Sequence, residues 1–290
     1  MLLHTQNPLK FAFSTEDPDN IPELSFGIIG VPFDSTATYL PGTRFGPQAI
    51  REASYSFESY NLRFSGNVKL NSFDFGDVNV SHGNFRSTSK FIRSSVSEIL
   101  EMGLKPIILG GEHTVTLPML EEFSEGGLIH DLTVIHIDAH MDMADTYTGE
   151  RYSHATVMRR VHELQPSGIL QLGVRSASEE EVEFVRENGI EYHTAHEIMD
   201  NPEGALRAIR RIRGPVYLSV DIDVLDPAYA PSVGNPTPCG LTPFIMEELT
   251  AAAAEKELLG FDVVEVASGT RGDQTSINAA KIIYDILTIT

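Results

Sequence analysis

Short, almost wholly apolar runs recur along this chain, and an amphipathic stretch follows nearly every one. "LSFGIIGVPF" precedes "PQAIREASYSF", "KPIILGG" precedes "TVTLPMLEEF", and "LTVIHIDAH" precedes "SHATVMRRVHEL". "GILQLGVR" precedes "SEEEVEFVREN", "GPVYLSVDIDV" precedes "FIMEELTAAAAEKEL", and "LLGFDVVEV" precedes "TSINAAKIIYDIL"; "PEGALRAIRRI" reads as a further helix. Strands apolar on both faces need cover on both faces, and helices between them supply it. The pattern predicts an α/β fold with a parallel sheet between helices. It persists from residue 24 to the end without a repeat or a linker, which implies one domain over 1–290. Thr242 and Pro243 fit an N-cap and first helical position. The piece from Ser54 to Arg63 and the acidic stretch around Asp74 read as irregular insertions.

Charge narrows the function. Of 290 residues, 41 are acidic and 21 basic, a net charge of −20. Such a field repels nucleic acid and anionic membrane surfaces and favours cationic ligands. The single cysteine, Cys239, excludes an internal disulfide and a four-cysteine zinc site. No apolar run is long enough to span a bilayer, and the start has no continuous signal-peptide core. A cytoplasmic protein is the expectation.

In open α/β sheets, sites form beyond the carboxyl ends of the strands. Four runs end there in ionisable groups: Glu112 and His113; Asp138, His140 and Asp142; Asp221, Asp223 and Asp226; and Glu265. Strand alternation would point Asp138, His140 and Asp142 one way, and Asp221 and Asp223 likewise. Such a set can be a hydrogen-bond network, catalytic acids and bases, or a metal grip. Four aspartates cannot all stay ionised at a low-dielectric rim without positive charge, and "VIHIDAHMD" and "YLSVDIDVLD" contain no Lys or Arg. Two divalent cations would balance them, and oxygen-rich coordination with some imidazole suits Mn²⁺.

"GGEH", "DAHMD" and "SVDIDVLDP", in this order, resemble the ureohydrolase family, which includes arginases and agmatinases. "GVPFDSTATYLPGTRFGPQAIREAS" looks more like the agmatinase branch. The resemblance implies a three-layer α/β/α sandwich on a mainly parallel sheet and two Mn²⁺ per subunit. It implies His113, Asp138, Asp142 and Asp221 as ligands of one ion, and His140, Asp138, Asp221 and Asp223 of the other. Asp138 and Asp221 would bridge. It further implies that Asp142 passes a proton to the leaving amine. His154 would shuttle protons or contact substrate, and Glu265 would grip the guanidinium. His136, Glu112 and Asp226 read as supporting groups, and Arg44 and Arg175 as rim or anchor residues.

The sequence departs from the family where Ala267 and Ser268 replace Asn-Pro, and where Thr237 and Cys239 stand for a glutamate and a glycine. Arginases usually carry an Asn at the position of Ala144, and agmatine is a dication suited to an acidic protein. Agmatine cleavage to putrescine and urea is therefore the expected activity. Guanidinobutyrate, arginine or formiminoglutamate hydrolysis stay open, with Arg44 or Arg151 as the basic rim an acid would need. So does a catalytically silent metal-binding relative. Family members usually form trimers or hexamers, so a homo-oligomer is implied.

Overall fold

The computed structural model describes residues 4–6, 9–15 and 17–290. Its strands are β1 (Thr5–Gln6), β2 (Phe26–Gly30), β3 (Tyr60–Asn61), β4 (Gly66–Asn67), β5 (Ser72–Val78) and β6 (Lys105–Leu109). They continue with β7 (Thr133–Ile137), β8 (Gly168–Val174), β9 (Glu191–Thr194), β10 (Val216–Asp221) and β11 (Leu258–Val264). The helices are α1 (Gly46–Ser54), α2 (Phe85–Glu101), α3 (Thr116–Glu125), α4 (Val157–Glu163) and α5 (Glu179–Glu187). α6 (Ala195–Asp200), α7 (Glu203–Arg211), α8 (Pro243–Ala254) and α9 (Gln274–Ile289) complete the set.

The main sheet runs β1-β5-β2-β6-β11-β10-β7-β8-β9. All neighbours are parallel except the short β1 beside β5. Alternation along each strand divides the core. Ile28, Ile107, Leu109, Leu218 and Val220 pack with α1 and α6 to α9 on one face. Ile29, Ile108, Val134 and Tyr217 pack with α2 to α5 on the other. The architecture is a mainly parallel sheet in a three-layer sandwich, as the apolar runs predict. α8 opens as expected, with Thr242 Oγ1 accepting the Ile245 amide and Pro243 at the first position.

Topology decides where the chemistry falls. The chain builds β2, β5 and β6, jumps to β7, β8 and β9, then returns to lay β10 and β11 in the gap. The carboxyl ends of β6, β11, β10 and β7 therefore lie side by side at the switch point.

Two sequence expectations need correction. The stretch around Asp74 is no insertion but β5, paired with β2. Its acidity is accommodated because Arg51, fully buried on α1, meets Asp74 through two parallel bonds of 2.8 and 2.9 Å. Arg51 also pairs with Asp77, and the Phe11 amide donates to Asp74 at 2.8 Å. The region from Ser54 to Arg63 is partly regular: Ser54 ends α1, and Tyr60 and Asn61 form β3, paired with β4. The pattern also passes over α2, whose serines dilute its apolar stripe of Ile92, Val96 and Ile99.

Because Arg51 is sealed from water, removing Asp74 deprives a buried charge of its fully buried, two-bond partner and leaves it only the partly exposed Asp77. Asp74→Ala should lower unfolding free energy by about 3–5 kcal/mol. Arg63→Ala, which breaks a half-exposed pair with Glu247 and Glu248, should cost about 0–1 kcal/mol. Urea denaturation of both variants reads the contrast; equal losses would refute the ranking.

Candidate metal centre and cavity

The loop after β6 is built on close contact. A Cβ on Gly111 would stand 1.9 Å from the Phe33 carbonyl oxygen, so only glycine fits. The Glu112 amide donates to Phe33 at 2.7 Å, and the Glu265 amide donates to the Gly111 carbonyl at 2.9 Å. These bonds tie the ends of β2, β6 and β11 together and fix His113 beside Glu265, whose Oε1 accepts the His113 amide at 2.8 Å.

Two imidazole–carboxylate groups meet here. His113 Nδ1 lies 3.0 Å from Asp138 Oδ2, 3.2 Å from Asp142 Oδ2 and 3.3 Å from Asp221 Oδ2. His140 Nδ1 lies 3.5 Å from Asp138 Oδ1 and 3.1 Å from Asp223 Oδ2. Asp138 faces the first group with one oxygen and the second with the other. Asp221 Oδ1 accepts the Asp223 amide at 2.8 Å. His113, His136, Asp138 and Asp142 bring potential ligand atoms within 4.8 Å of one another, and Asp138, His140 and Asp223 form a second such group, so each could hold a metal ion.

Simple strand alternation does not orient these side chains, because β7 ends at Ile137 and β10 at Asp221. Asp138 and Asp142 turn towards His113, while His140 turns towards Asp223. Asp142 adopts φ 54° and Glu265 φ 65°, the left-handed region that costs a residue with a Cβ on the order of 1–2 kcal/mol. Each is held: the Asp142 carbonyl accepts the Met158 and Arg159 amides at 3.0 and 3.2 Å.

Further buried groups fix the imidazoles. Asp262 Oδ1 accepts the Ser219 hydroxyl at 2.8 Å, and its other oxygen accepts the Tyr217 and Thr116 hydroxyls. With its proton committed, the Ser219 oxygen accepts from His113 Nε2 at 2.9 Å. His113 Nδ1 is then a lone pair, buried and without a hydrogen-bond partner, aimed at three carboxylates. Such a set of donors could hold a divalent cation. His136, fully buried, places Nε2 2.8 Å from Asp138 Oδ2, and its Nδ1 lies 3.0 Å from the Gln171 amide nitrogen.

The electrostatics carry the same crowding. Burial and then Asp138 push the Asp142 carboxyl up to about 6. Burial and then Asp223 raise Asp221 well above the carboxylate range. Burial opposes charge on His140, yet Asp223 and Asp138 push it up to about 12. Burial, the largest cause, lowers His154 to about 4.

A cavity of about 480 Å³ opens over the centre. His113, His140, Asp142, Asp221, Asp223, His154 and Glu265 line it, with Ala144 and the acidic Glu180 and Glu181 on its walls and, among the described residues, no Lys or Arg. Arg44 instead pairs with Asp34, and Arg151 with Glu163 and Asp145. Arg175 donates to backbone carbonyls of Gly173, Asp223, Val224 and Thr237, as an anchor. Asp226 caps its loop, accepting the Ala228 and Gly240 amides. Thr237 Oγ1 lies 3.5 Å from His140 Nε2. Cys239, exposed, does not line the cavity.

Sequence pattern alone does not single out Ser219, Asp262, Gln171 or Thr36. The one available signal was a polar residue inside an otherwise apolar strand: Ser219 in "YLSVD", Asp262 in "FDVV" and Gln171 in "ILQLG". A buried strand keeps such a group only with a partner.

A protein of Methanothermus fervidus, named only as an uncharacterized 32.2 kDa protein, is 50% identical over 96% of this chain and 98% of its own. The N(1)-aminopropylagmatine ureohydrolase of Thermococcus kodakarensis is 36% identical over 97% of this chain and 95% of its own. The crystal structure of the agmatine ureohydrolase of Thermoplasma volcanium superposes with a TM-score of 0.86 at 31% identity, covering 97% of this chain and 94% of that one. The Arginase family model matches residues 24–288. With this fold and this cluster at its switch point, the chain belongs to the arginase family of hydrolytic enzymes.

Proposed function

We propose that the chain is a binuclear manganese ureohydrolase that cleaves agmatine to putrescine and urea. The division of Asp138 between the two groups carries this reading: one carboxylate facing two imidazole–carboxylate sets is what a pair of neighbouring cations needs. His113 Nδ1, Asp138, Asp142 and Asp221 would hold one ion. His140 Nδ1, Asp138, Asp221 and Asp223 would hold the other. When bound, such ions supply Lewis acidity and acidify a water.

The chain's own residues do the rest. Glu265, with Oε1 engaged by the His113 amide, accepts guanidinium N–H through its remaining lone pairs. Asp142 orients the attacking water and passes its proton to the departing amine nitrogen as the C–N bond breaks. His154, on the cavity wall, contacts the substrate or moves its proton.

The cavity walls favour a cationic tail. An ammonium meets Glu180 there, whereas a carboxylate would find no free counter-charge among the described residues, because Arg44 and Arg151 are paired elsewhere. The same walls accept the longer cationic tail of N(1)-aminopropylagmatine, the compound named for one relative.

Urea release with Mn²⁺ present is the direct assay, across agmatine, N(1)-aminopropylagmatine, arginine and guanidinobutyrate. The acids should show kcat/KM lower by about two orders of magnitude, matching roughly 3 kcal/mol for an unpaired charge. Faster arginine than agmatine turnover sinks the substrate reading, and no turnover of any sinks the enzymatic one. Metal analysis tests the sharing. Asp138→Ala should lose both ions and urea release, whereas Asp223→Ala, facing only the His140 group, should keep one ion. Full metal content in Asp138→Ala refutes the bridging role.

A further inference from the structure

Thr36 lies on the loop after β2, and its hydrogen bonds bear on which nitrogen of His154 carries a proton. The Thr36 amide donates to Glu112 Oε2 at 2.7 Å, and its hydroxyl donates to Glu112 Oε1 at 2.7 Å. Glu112 Oε1 also accepts the Thr114 hydroxyl at 2.7 Å. A carboxylate meeting three donors is an acceptor, so the only hydroxyl proton of Thr36 is committed there. The Thr36 oxygen can then only accept. It faces His154 twice, 3.2 Å from the backbone amide and 3.2 Å from Nδ1.

The opposite tautomer would set an Nδ1 lone pair against the Thr36 oxygen, which has no proton to give, and leave only the Ser153 hydroxyl, at the longer 3.3 Å, to donate to it. Ser153 Oγ, 3.3 Å from the same nitrogen, takes the Thr156 amide in a capping box and can also accept from Nδ1. Both neighbours are therefore satisfied when Nδ1 carries hydrogen.

We propose that Thr36, clamped by Glu112, is a positioning residue that fixes His154 as the Nδ1–H tautomer and presents its Nε2 lone pair to the cavity. The inference rests on the reading of His154 as a group that meets the substrate. A lone pair at Nε2 accepts a guanidinium or ammonium N–H, or a proton, without prior rearrangement. The T-shaped contact of the His154 ring with Tyr147, centroids 5.5 Å apart, braces the same orientation.

Thr36→Val deletes the hydroxyl, keeps the shape and leaves the backbone bond to Glu112. With Mn²⁺-loaded enzyme and agmatine, kcat should fall on the order of tenfold or more while KM and metal content hold. Thr36→Ser should restore kcat to within a few fold. In a His154→Ala background, Thr36→Val should cause no further loss, since both changes act through one imidazole. An unchanged kcat in Thr36→Val, or the same loss with His154 absent, overturns the proposal.

Long-range ¹H–¹⁵N spectra of ¹⁵N-histidine-labelled, Zn²⁺-loaded protein, assigned through His154→Ala, read the tautomer without turnover. They should show Nδ1–H in the native chain and its loss or mixture in Thr36→Val. An Nε2–H tautomer in the native chain overturns the proposal even if agmatine is cleaved. Nδ1–H with no urea from agmatine leaves the positioning intact and sinks the substrate reading alone.

Discussion

The side chain of Asp138 is the point on which the other parts of the centre depend. It is fully buried, and its two oxygens face different imidazoles. Holding a carboxylate there requires support from every side: His136 reaches Oδ2 at 2.8 Å, and the His140 amide donates to Oδ1 at 2.6 Å. These contacts with His136, His113 and His140 overcome burial and hold its pKa well below the ordinary carboxylate range. Asp142 and Asp221, which face the same histidine, are pushed the other way by burial and by neighbouring carboxylates. One set of like charges thus splits into a fixed anion and groups that resist ionisation, the behaviour expected of carboxylates packed for a cation.

Sheet order follows from this need. Bringing Asp138, Asp221, Glu265 and His113 to one rim requires β7, β10, β11 and β6 to be neighbours, although the chain makes β8 and β9 between β7 and β10. The return of β10 and β11 into the gap achieves it. The left-handed backbone at Asp142 and Glu265 is a local cost of the same convergence, offset by the bonds that tie those segments to α4 and to Gly111.

Much of this was legible in the residues. Apolar strands with acidic ends announce a covered parallel sheet with chemistry at its carboxyl edge, and the shortage of nearby Lys and Arg poses the charge problem that cations answer. What escaped reading has physical causes. Asp74 looks like a loop residue because its partner Arg51 lies on a distant helix, and only tertiary structure joins them. α2 hides because serines occupy positions that other helices fill with apolar groups. The direction of Asp142 could not come from strand alternation, since the strand has already ended. Thr36 is a hydroxyl in a loop, and its role exists only through Glu112 and His154, residues 76 and 118 positions away.

His113 in the centre and His154 above it are set apart by the partners of their second nitrogens. His113 gives its Nε2 hydrogen to Ser219, which leaves Nδ1 as a lone pair among carboxylates. His154 gives its Nδ1 hydrogen to Thr36, which leaves Nε2 for the cavity. The first arrangement suits a cation, because a lone pair and three anionic oxygens converge without a hydrogen between them. The second suits a neutral acceptor, because burial disfavours charge on the ring. Identical side chains thus take different roles through hydroxyls that commit their own protons to a buried carboxylate, Asp262 in one case and Glu112 in the other. In both, the acid that decides the role lies one shell away from the atoms that would meet cation or substrate.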